Sequence, residues 1–398
     1  MNTRQLFLSH IAQTSENPLM LEIIRASGVW MYGPNDEKYL DLISGISVSN
    51  LGHCHPEVVA AVQEQAASFM HLMVYGEYIT QPTVRLAKLL SAVLPKKLDC
   101  VYFTNSGTEA VEGALKLAKR KTQRTEIISC YNAYHGSTAG ALSIMGSEFF
   151  KSNYRPLIPG NKNIFFNDFG AINQISKNTA AVIIEPVQAE AGVILPSAGY
   201  LKAVRQKCDD TNTLLIFDEI QTGMGRTGKL FAFEHENIIP DILLLAKSFG
   251  GGMPIGAFIS DQKTMDVLTN NPFLGHITTF GGNAVCAAAA EANLKVLLES
   301  NLIKECEAKG EIFDSYFKNK NQNYSFTRIG LMMSIQFLNF ETNKNIIDYC
   351  ITKGVITDWF LFNSAALRIC PPLIIKKDDI QFACEIIHEA IQKFARNT

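Results

Sequence analysis

Lys247 closes the apolar run "DILLLAKS" and is followed by three glycines in "SFGGGMPIG". An ammonium at the tip of a buried strand is costly unless it has lost its proton or found an anion. The glycines let another group approach it closely. Twenty-nine residues upstream, "LLIFDE" ends four apolar residues on Asp218. A strand of Leu214, Leu215, Ile216 and Phe217 reads as fully covered. Solubility therefore does not require an acid at its end, and an acid held there binds something. By the alternation of a strand, Glu219 beside it points to the opposite side.

Two further stretches follow strands. "TNSGTEA" places Ser106, Gly107 and Thr108 between a strand and a helix start. Backbone N–H groups, hydroxyls and the helix dipole make that a phosphate cradle. The same residues also read as a plain N-cap, with Ser106 or Thr108 capping and Glu109 in the first turn. "YNAYHGST" places Tyr134 and His135 after a strand, where taken alone they read as a surface turn. Together, the cradle, the aromatic ring, the strand-end acid and the strand-end lysine fit one cofactor, pyridoxal phosphate. A lysine forms a Schiff base with its aldehyde. An acid keeps the pyridine nitrogen protonated, so that the ring can draw electrons from a carbanion.

Such residues need elements to position them. "CVYFTN" (100–105), "TEIISC" (125–130), "AAVIIEP" (180–186), "LLIFDE" and "DILLLAKS" (241–248) read as strands, alternating with helices at "GTEAVEGALKLAKRK" and "GYLKAVRQKCDDT". That alternation predicts an α/β fold with a mainly parallel central sheet and helices on both faces. Ligands of such sheets bind beyond the carboxyl ends of the strands. The N-terminal "VWMYGPNDEKYLDLISG" reads as a hairpin around Gly33-Pro34-Asn35-Asp36. From about 300 the pattern gives a helix, short strands near "SFTRIGLMMSIQF", a helix near "KNIIDYCITKG", a strand pair around "ALRICPPL", and a last helix "DDIQFACEIIHEAIQKFA". The expected organisation is an N-terminal segment (1–50) completing the small unit, a large cofactor-binding domain (51–295), and a C-terminal small α+β domain (296–398). No repeat or low-complexity linker appears, so the boundary is placed within a long helix.

At this point the residues also match a family. The chain resembles the class III aminotransferases of fold type I, closest to the ornithine and acetylornithine branch. The resemblance runs from "YLDLISGISVSNLGHCHPEV" through "FTNSGTEA", "EPVQAEAGV", "FDEIQTGMGRTGK" and "AKSFGGGMPIGA" to "TTFGGN" and "LRICPPL". It implies that Lys247 is the Schiff-base lysine and that Asp218 pairs with the ring nitrogen. Gln221 is expected to reach the cofactor's phenolic oxygen, and Tyr134 to stack on the ring. Ser106, Gly107 and Thr108 are expected to hold the phosphate, with His135 and Glu185 completing the cofactor-binding set. Thr279 is expected to reach the phosphate of a neighbouring subunit, which implies a homodimer with shared active sites. Arg368 matches the arginine that takes an α-carboxylate, and Glu190 the acid that masks it while an ω-amino donor is bound. Tyr75 or Tyr78 is expected on the donor side. The chain departs from its nearest relatives at Ser137, where they carry an arginine for a distal carboxylate. A serine cannot replace a bidentate guanidinium.

The implied activity moves an amino group, an ω-amino group of an acetylornithine- or ornithine-like donor, to a 2-oxo acid such as 2-oxoglutarate. Alternatives on the same scaffold are an ω-amine–pyruvate or 4-aminobutyrate transaminase, or a mutase, racemase or decarboxylase. The intact Lys247 and Asp218 count against a binding protein without turnover. Composition agrees with such an enzyme: 398 residues, 47% hydrophobic, 19% charged, net charge −2. No basic face for nucleic acid, no signal peptide and no membrane helix is expected. Nine scattered cysteines without a C-x-x-C pair fit reduced thiols in a cytoplasm. His53, Cys54 and His55 in "GHCHP" lack the further ligands a metal would need, so no metal site is expected.

Overall fold

A computed structural model describes residues 2–318 and 323–395. Its centre is a seven-stranded sheet in the order Cys100–Thr104, Gly256–Ser260, Ile242–Leu245, Leu214–Asp218, Thr179–Ile184, Glu126–Cys130, Asn161–Ile164. Gly256–Ser260 runs antiparallel to both its neighbours, and the remaining pairings of the sheet are parallel. Two of these strands, Asn161–Ile164 and Gly256–Ser260, are absent from the sequence reading.

The alternation of side chains across the sheet explains its continuous apolar runs. Ile127, Ile183, Ile216 and Leu244 pack on one face with Ala110, Val111 and Ala114 of the helix Gly107–Thr122. Ile128, Ile184, Phe217 and Leu245 pack on the other face with Tyr200, Val204, Ala290 and Leu294. The inner strands are covered twice, so each must be apolar at both parities. The helix Gly107–Thr122 lies so close to Gly256–Ser260 that a Cβ on Gly113 would run into the Phe258 ring. This close seat aims the helix N-terminus along the carboxyl edge of the sheet.

Two smaller sheets flank the first. The N-terminal hairpin forms as expected, with Trp30–Tyr32 antiparallel to Lys38–Asp41, and Val355–Ile356 joins it in parallel. The C-terminal sheet pairs Ser325–Ile329, Met332–Gln336, Asn363–Ile369 and Asp358–Phe360. The helix Phe340–Thr352 packs against it, and Lys377–Phe394 packs on that helix and on Leu302–Phe317. Among the described residues no helix is long and apolar enough to cross a membrane. In the "GHCHP" loop, His53 Nε2 lies 2.9 Å from Asp41 Oδ2, and among the described residues no group of metal-ligating side chains converges.

Arg226 joins these parts. Its side chain is fully buried. The guanidinium donates to the carbonyls of Leu331 (3.0 Å) and Pro371 in the C-terminal unit, and to Asn50 Oδ1 at the end of the N-terminal segment. Asn50 in turn donates to the Met224 carbonyl at 2.8 Å. Burial holds the Arg226 pKa below its ordinary value. Arg226→Ala strands three buried acceptors and should destabilise the protein by about 3 kcal/mol or more, read as a lower urea midpoint. An unchanged midpoint would show that water replaces the guanidinium without loss.

Candidate active site

The carboxyl edge of the large sheet borders a cavity of about 650 Å³. Ser106, Gly107, Thr108, Tyr134, His135, Glu185, Asp218, Gln221 and Lys247, all read from the sequence, line it together. Each sits at or just beyond the end of a strand of that sheet or, for Gln221, in the turn after Asp218. Parallel strands deliver their ends to one rim, so residues scattered over the chain meet.

Lys247 lies two residues past the last ladder position of Ile242–Leu245 and opens a short 3₁₀ turn, Lys247–Gly250. Its φ is +49°. A left-handed backbone costs a residue with a Cβ about 1–2 kcal/mol, so the surroundings must hold it. Asn293, on the helix Ala284–Glu299, donates to the Ser248 carbonyl at 2.8 Å and pins the turn. Burial drives the Lys247 pKa below the ordinary lysine range; Arg368 adds to the push, while Glu190, Asp218 and Glu185 oppose it. A lysine so placed reaches its neutral, nucleophilic form more readily.

Asp218 is buried and held at both oxygens. Oδ1 accepts from the Ile220 amide at 3.0 Å, and Oδ2 lies 2.7 Å from His135 Nδ1. His135 thus stands behind the acid and fixes its direction, a role its position in "YNAYHGST" does not reveal. Glu185 accepts from the amides of Tyr134 (3.1 Å) and Ala189 (2.7 Å), so it holds the loop that carries Tyr134. Burial, opposed by His135 and reinforced by Asp218, raises Glu185 to about 7. Glu219 turns away from the cavity. It accepts from the amides of Ala232 (2.6 Å) and Phe233 (2.8 Å) and anchors the following loop.

At the other end of the cavity, Ser106 caps the helix Gly107–Thr122 through a 3.3 Å bond from the Glu109 amide. The Gly107 and Thr108 amides head the helix, where no preceding turn can accept from them. Thr108 Oγ1 lies 2.7 Å from Thr138 Oγ1, and Thr138 donates to Glu112 at 2.6 Å. Gly136 has φ +132°, and a Cβ there would collide with Thr108. Thr138 and Asn105, both lining the cavity, stand inside the stretches quoted above but were not singled out.

Arg368 and Glu190 form a bidentate pair, Nη1–Oε1 2.7 Å and Nη2–Oε2 2.8 Å, both buried. Gln221 Nε2 donates to the same Glu190 at 3.0 Å. Sequence reading missed the third member. Asp358, cross-strand partner of Arg368, lies 2.9 Å from Nε. Burial, relieved in part by Arg368, raises Asp358 to about 6, whereas Arg368 overcomes burial at Glu190 and lowers it to about 2. Ser137 is 3.0 Å from the Tyr134 hydroxyl and has no arginine's reach.

Three expected residues lie elsewhere within one chain. Tyr75 and Tyr78 border a separate cavity of about 430 Å³ with Thr278, Gly281 and Gly282, so they do not face Lys247 of their own chain. The segment that carries them runs over the outer side of Cys100–Thr104, an edge strand of the sheet, which keeps them from the rim. Thr279 is exposed, while its neighbour Thr278 accepts from Asn105 at 3.0 Å.

Residues 11–391 match the family model described as aminotransferase class-III. The chain belongs to the class-III aminotransferases. Among solved structures, it superposes on the ornithine aminotransferase of Toxoplasma gondii with a TM-score of 0.90 at 29% identity, covering 98% of this chain and 94% of that one. With the adenosylmethionine-8-amino-7-oxononanoate aminotransferase of Methanocaldococcus jannaschii the score is 0.92 at 26% identity, covering 98% of each. A transaminase from the marine bacterium Virgibacillus gives 0.91 at 25%, covering 99% of each. The architecture is that of the fold type I transaminases.

Class-III aminotransferases use pyridoxal phosphate, and one T. gondii ornithine aminotransferase structure is described with it at the active site. The residues of this class-III chain fit that cofactor. His135 Nε2 and Gln221 Oε1 line the cavity, are buried, and find no protein partner. The helix N-terminus offers free amides for an anion, Asp218 a fixed carboxylate, and Lys247 an amine.

Glu190 supplies a pH test. Its folded pKa is depressed from 4.5 to about 2, so its contribution is complete above pH 4.5 and is lost as pH falls toward 2. The stability gap between the natural protein and Glu190→Gln, read by urea unfolding, should be constant above pH 5 and narrow across that window. A gap independent of pH would exclude the ion pair as its source.

Proposed function

We propose that this aminotransferase takes an ω-amino group from a small-molecule donor and delivers it to a 2-oxo acid. One observation carries the reading: Lys247, with its lowered pKa, and Asp218, fixed by His135, open onto one cavity whose opposite end is a helix N-terminus. Pyridoxal phosphate bound there supplies an electron sink for the carbon that loses or gains a proton. Asp218 holds negative charge against the cofactor's ring nitrogen. His135 positions that carboxylate, and Glu185 positions the loop bearing Tyr134. The amides of Gly107 and Thr108 bind the phosphate. Lys247 Nζ moves the proton at the reacting carbon as base and then as acid.

Glu190 governs which carboxylate enters. While it clamps Arg368, the site accepts an amine without an α-carboxylate. When an oxo acid brings its own carboxylate, Glu190 must yield. Ser137 lacks the charge that a distal carboxylate needs, and this favours ω-amine–pyruvate chemistry over acetylornithine with 2-oxoglutarate.

We infer further that the chain works as a homodimer. Ile79 (87% exposed), Phe273 (74%) and Met70 (67%) are exposed apolar side chains on the same two segments of the chain as Tyr78 and Thr279, and exposed apolar residues of this size favour an interaction surface. There Thr279, Tyr75 and Tyr78 have a partner's site to serve.

Borohydride treatment of the holoenzyme followed by peptide mapping should label Lys247. Lys247→Ala should lose the label and nearly all turnover, and Lys247→Arg should do no better because guanidinium stays protonated. A label on any other lysine sinks the assignment. Asp218→Asn should still bind cofactor, seen by absorbance, while transfer slows by on the order of a hundredfold or more. Near-normal turnover would reject the role of Asp218.

A further inference from the structure

Beyond Tyr134 the catalytic cavity opens into a larger chamber of about 1160 Å³, and the two share Tyr134, Ser137 and Lys247. It exceeds the ~300–1,000 Å³ typical of small-molecule sites. Most of its wall area is hydrocarbon, and Ile46, Leu142, Met145, Phe150, Trp359 and Leu361 come from three separate parts of the chain.

The charges in the chamber are already matched. Besides Lys247, the basic side chains among its described lining residues are Arg368 and Lys344. Arg368 is held by Glu190 at 2.7 and 2.8 Å and by Asp358 at 2.9 Å. Lys344 is held by Asp348 at 2.5 Å. A carboxylate on the far end of a substrate would find no unpaired cation there and would meet three acids. Ser137, at the mouth, offers a hydroxyl only.

We propose that this chamber receives the non-reacting end of the amino substrate and selects an extended, uncharged hydrocarbon chain. The inference rests on the transaminase reading only for which end of the ligand reacts. The selectivity of the chamber itself can be measured by binding alone.

The holoenzyme is titrated calorimetrically with 1-butanol, 1-octanol and octanoate, none of which has an amine to react. Each added methylene should tighten binding about three- to fourfold, so octanol should exceed butanol by on the order of a hundredfold. Octanoate should bind about tenfold or more weakly than octanol, since its charge enters an apolar space without a partner. Trp359→Gln and Leu361→Gln place an amide on the wall. Both side chains are part-exposed, and a melting curve checks each fold. Each variant should reduce the octanol-to-butanol ratio severalfold. Equal binding of the two alcohols, octanoate binding as well as octanol, or an unchanged ratio in both variants overturns the proposal. In parallel, butylamine, octylamine and 8-aminooctanoate are mixed with the holoenzyme while cofactor absorbance is followed. Octylamine should react fastest, and a preference for 8-aminooctanoate counts against the chamber. If none of the amines reacts while octanol selectivity persists, the ω-amine reading of the donor fails and the chamber stands.

Discussion

Buried charge is the constraint on which this molecule is organised. Asp218, Glu185, Glu190, Glu219, Arg226 and Arg368 are all buried. An isolated ion in an apolar interior costs far more than a folded domain has to spare, so each needs fixed partners. Arg226 uses backbone carbonyls from the C-terminal unit and an amide from the N-terminal segment. Glu219 uses two amides from the loop after it. Arg226's partners come from remote parts of the sequence, so satisfying that charge helps fix how the three sheets meet. Removing one member leaves the others buried and unpaired, which costs more than the pair itself contributes.

The same constraint shapes the site. Acids at the rim differ in pKa because their partners differ. Glu185 has amides, a nearby histidine and the adjacent Asp218, and sits near 7. Glu190 has a bidentate guanidinium and sits near 2. Two buried carboxylates that both act on Lys247 are therefore shifted in opposite directions. The spread follows from geometry alone, because burial pushes both upward.

The sequence was most legible where a charge interrupts an apolar run. Lys247 and Asp218 break long covered strands, and both reach the rim as their positions imply. Strands covered on both faces were legible for the same reason. Asn161–Ile164 was not, since its "NKNI" is mostly polar at the edge of the sheet. Gly256–Ser260 was hidden behind a glycine run that reads as loop. Asp358 was invisible because its strand spans three residues and its meaning comes from lying opposite Arg368. Cross-strand register of this kind is set by tertiary pairing, which no local pattern carries. Tyr75 and Tyr78 line a separate cavity within one chain, so a site completed by a second chain is not visible in the fold of one.

Under the proposed function, the two acids around Arg368 bear on specificity. With Glu190 ionised and Asp358 raised to about 6, the cluster near neutral pH already holds more negative than positive charge. A substrate carboxylate approaching Arg368 must displace Glu190 and restore two charge-assisted hydrogen bonds, each worth about 1.5–3 kcal/mol. It must also accept Asp358 as a neighbour, because the strand register places that acid opposite Arg368. Only a carboxylate that reaches the guanidinium with bidentate geometry meets those terms, as the carboxylate next to an oxo carbon at the reaction centre does. One carried on a flexible distal arm loses side-chain and ligand entropy for weaker geometry. Under the proposed function, such a clamp would separate acceptor from donor by where their charge lies relative to the reacting carbon, and would let one site serve two substrates in turn.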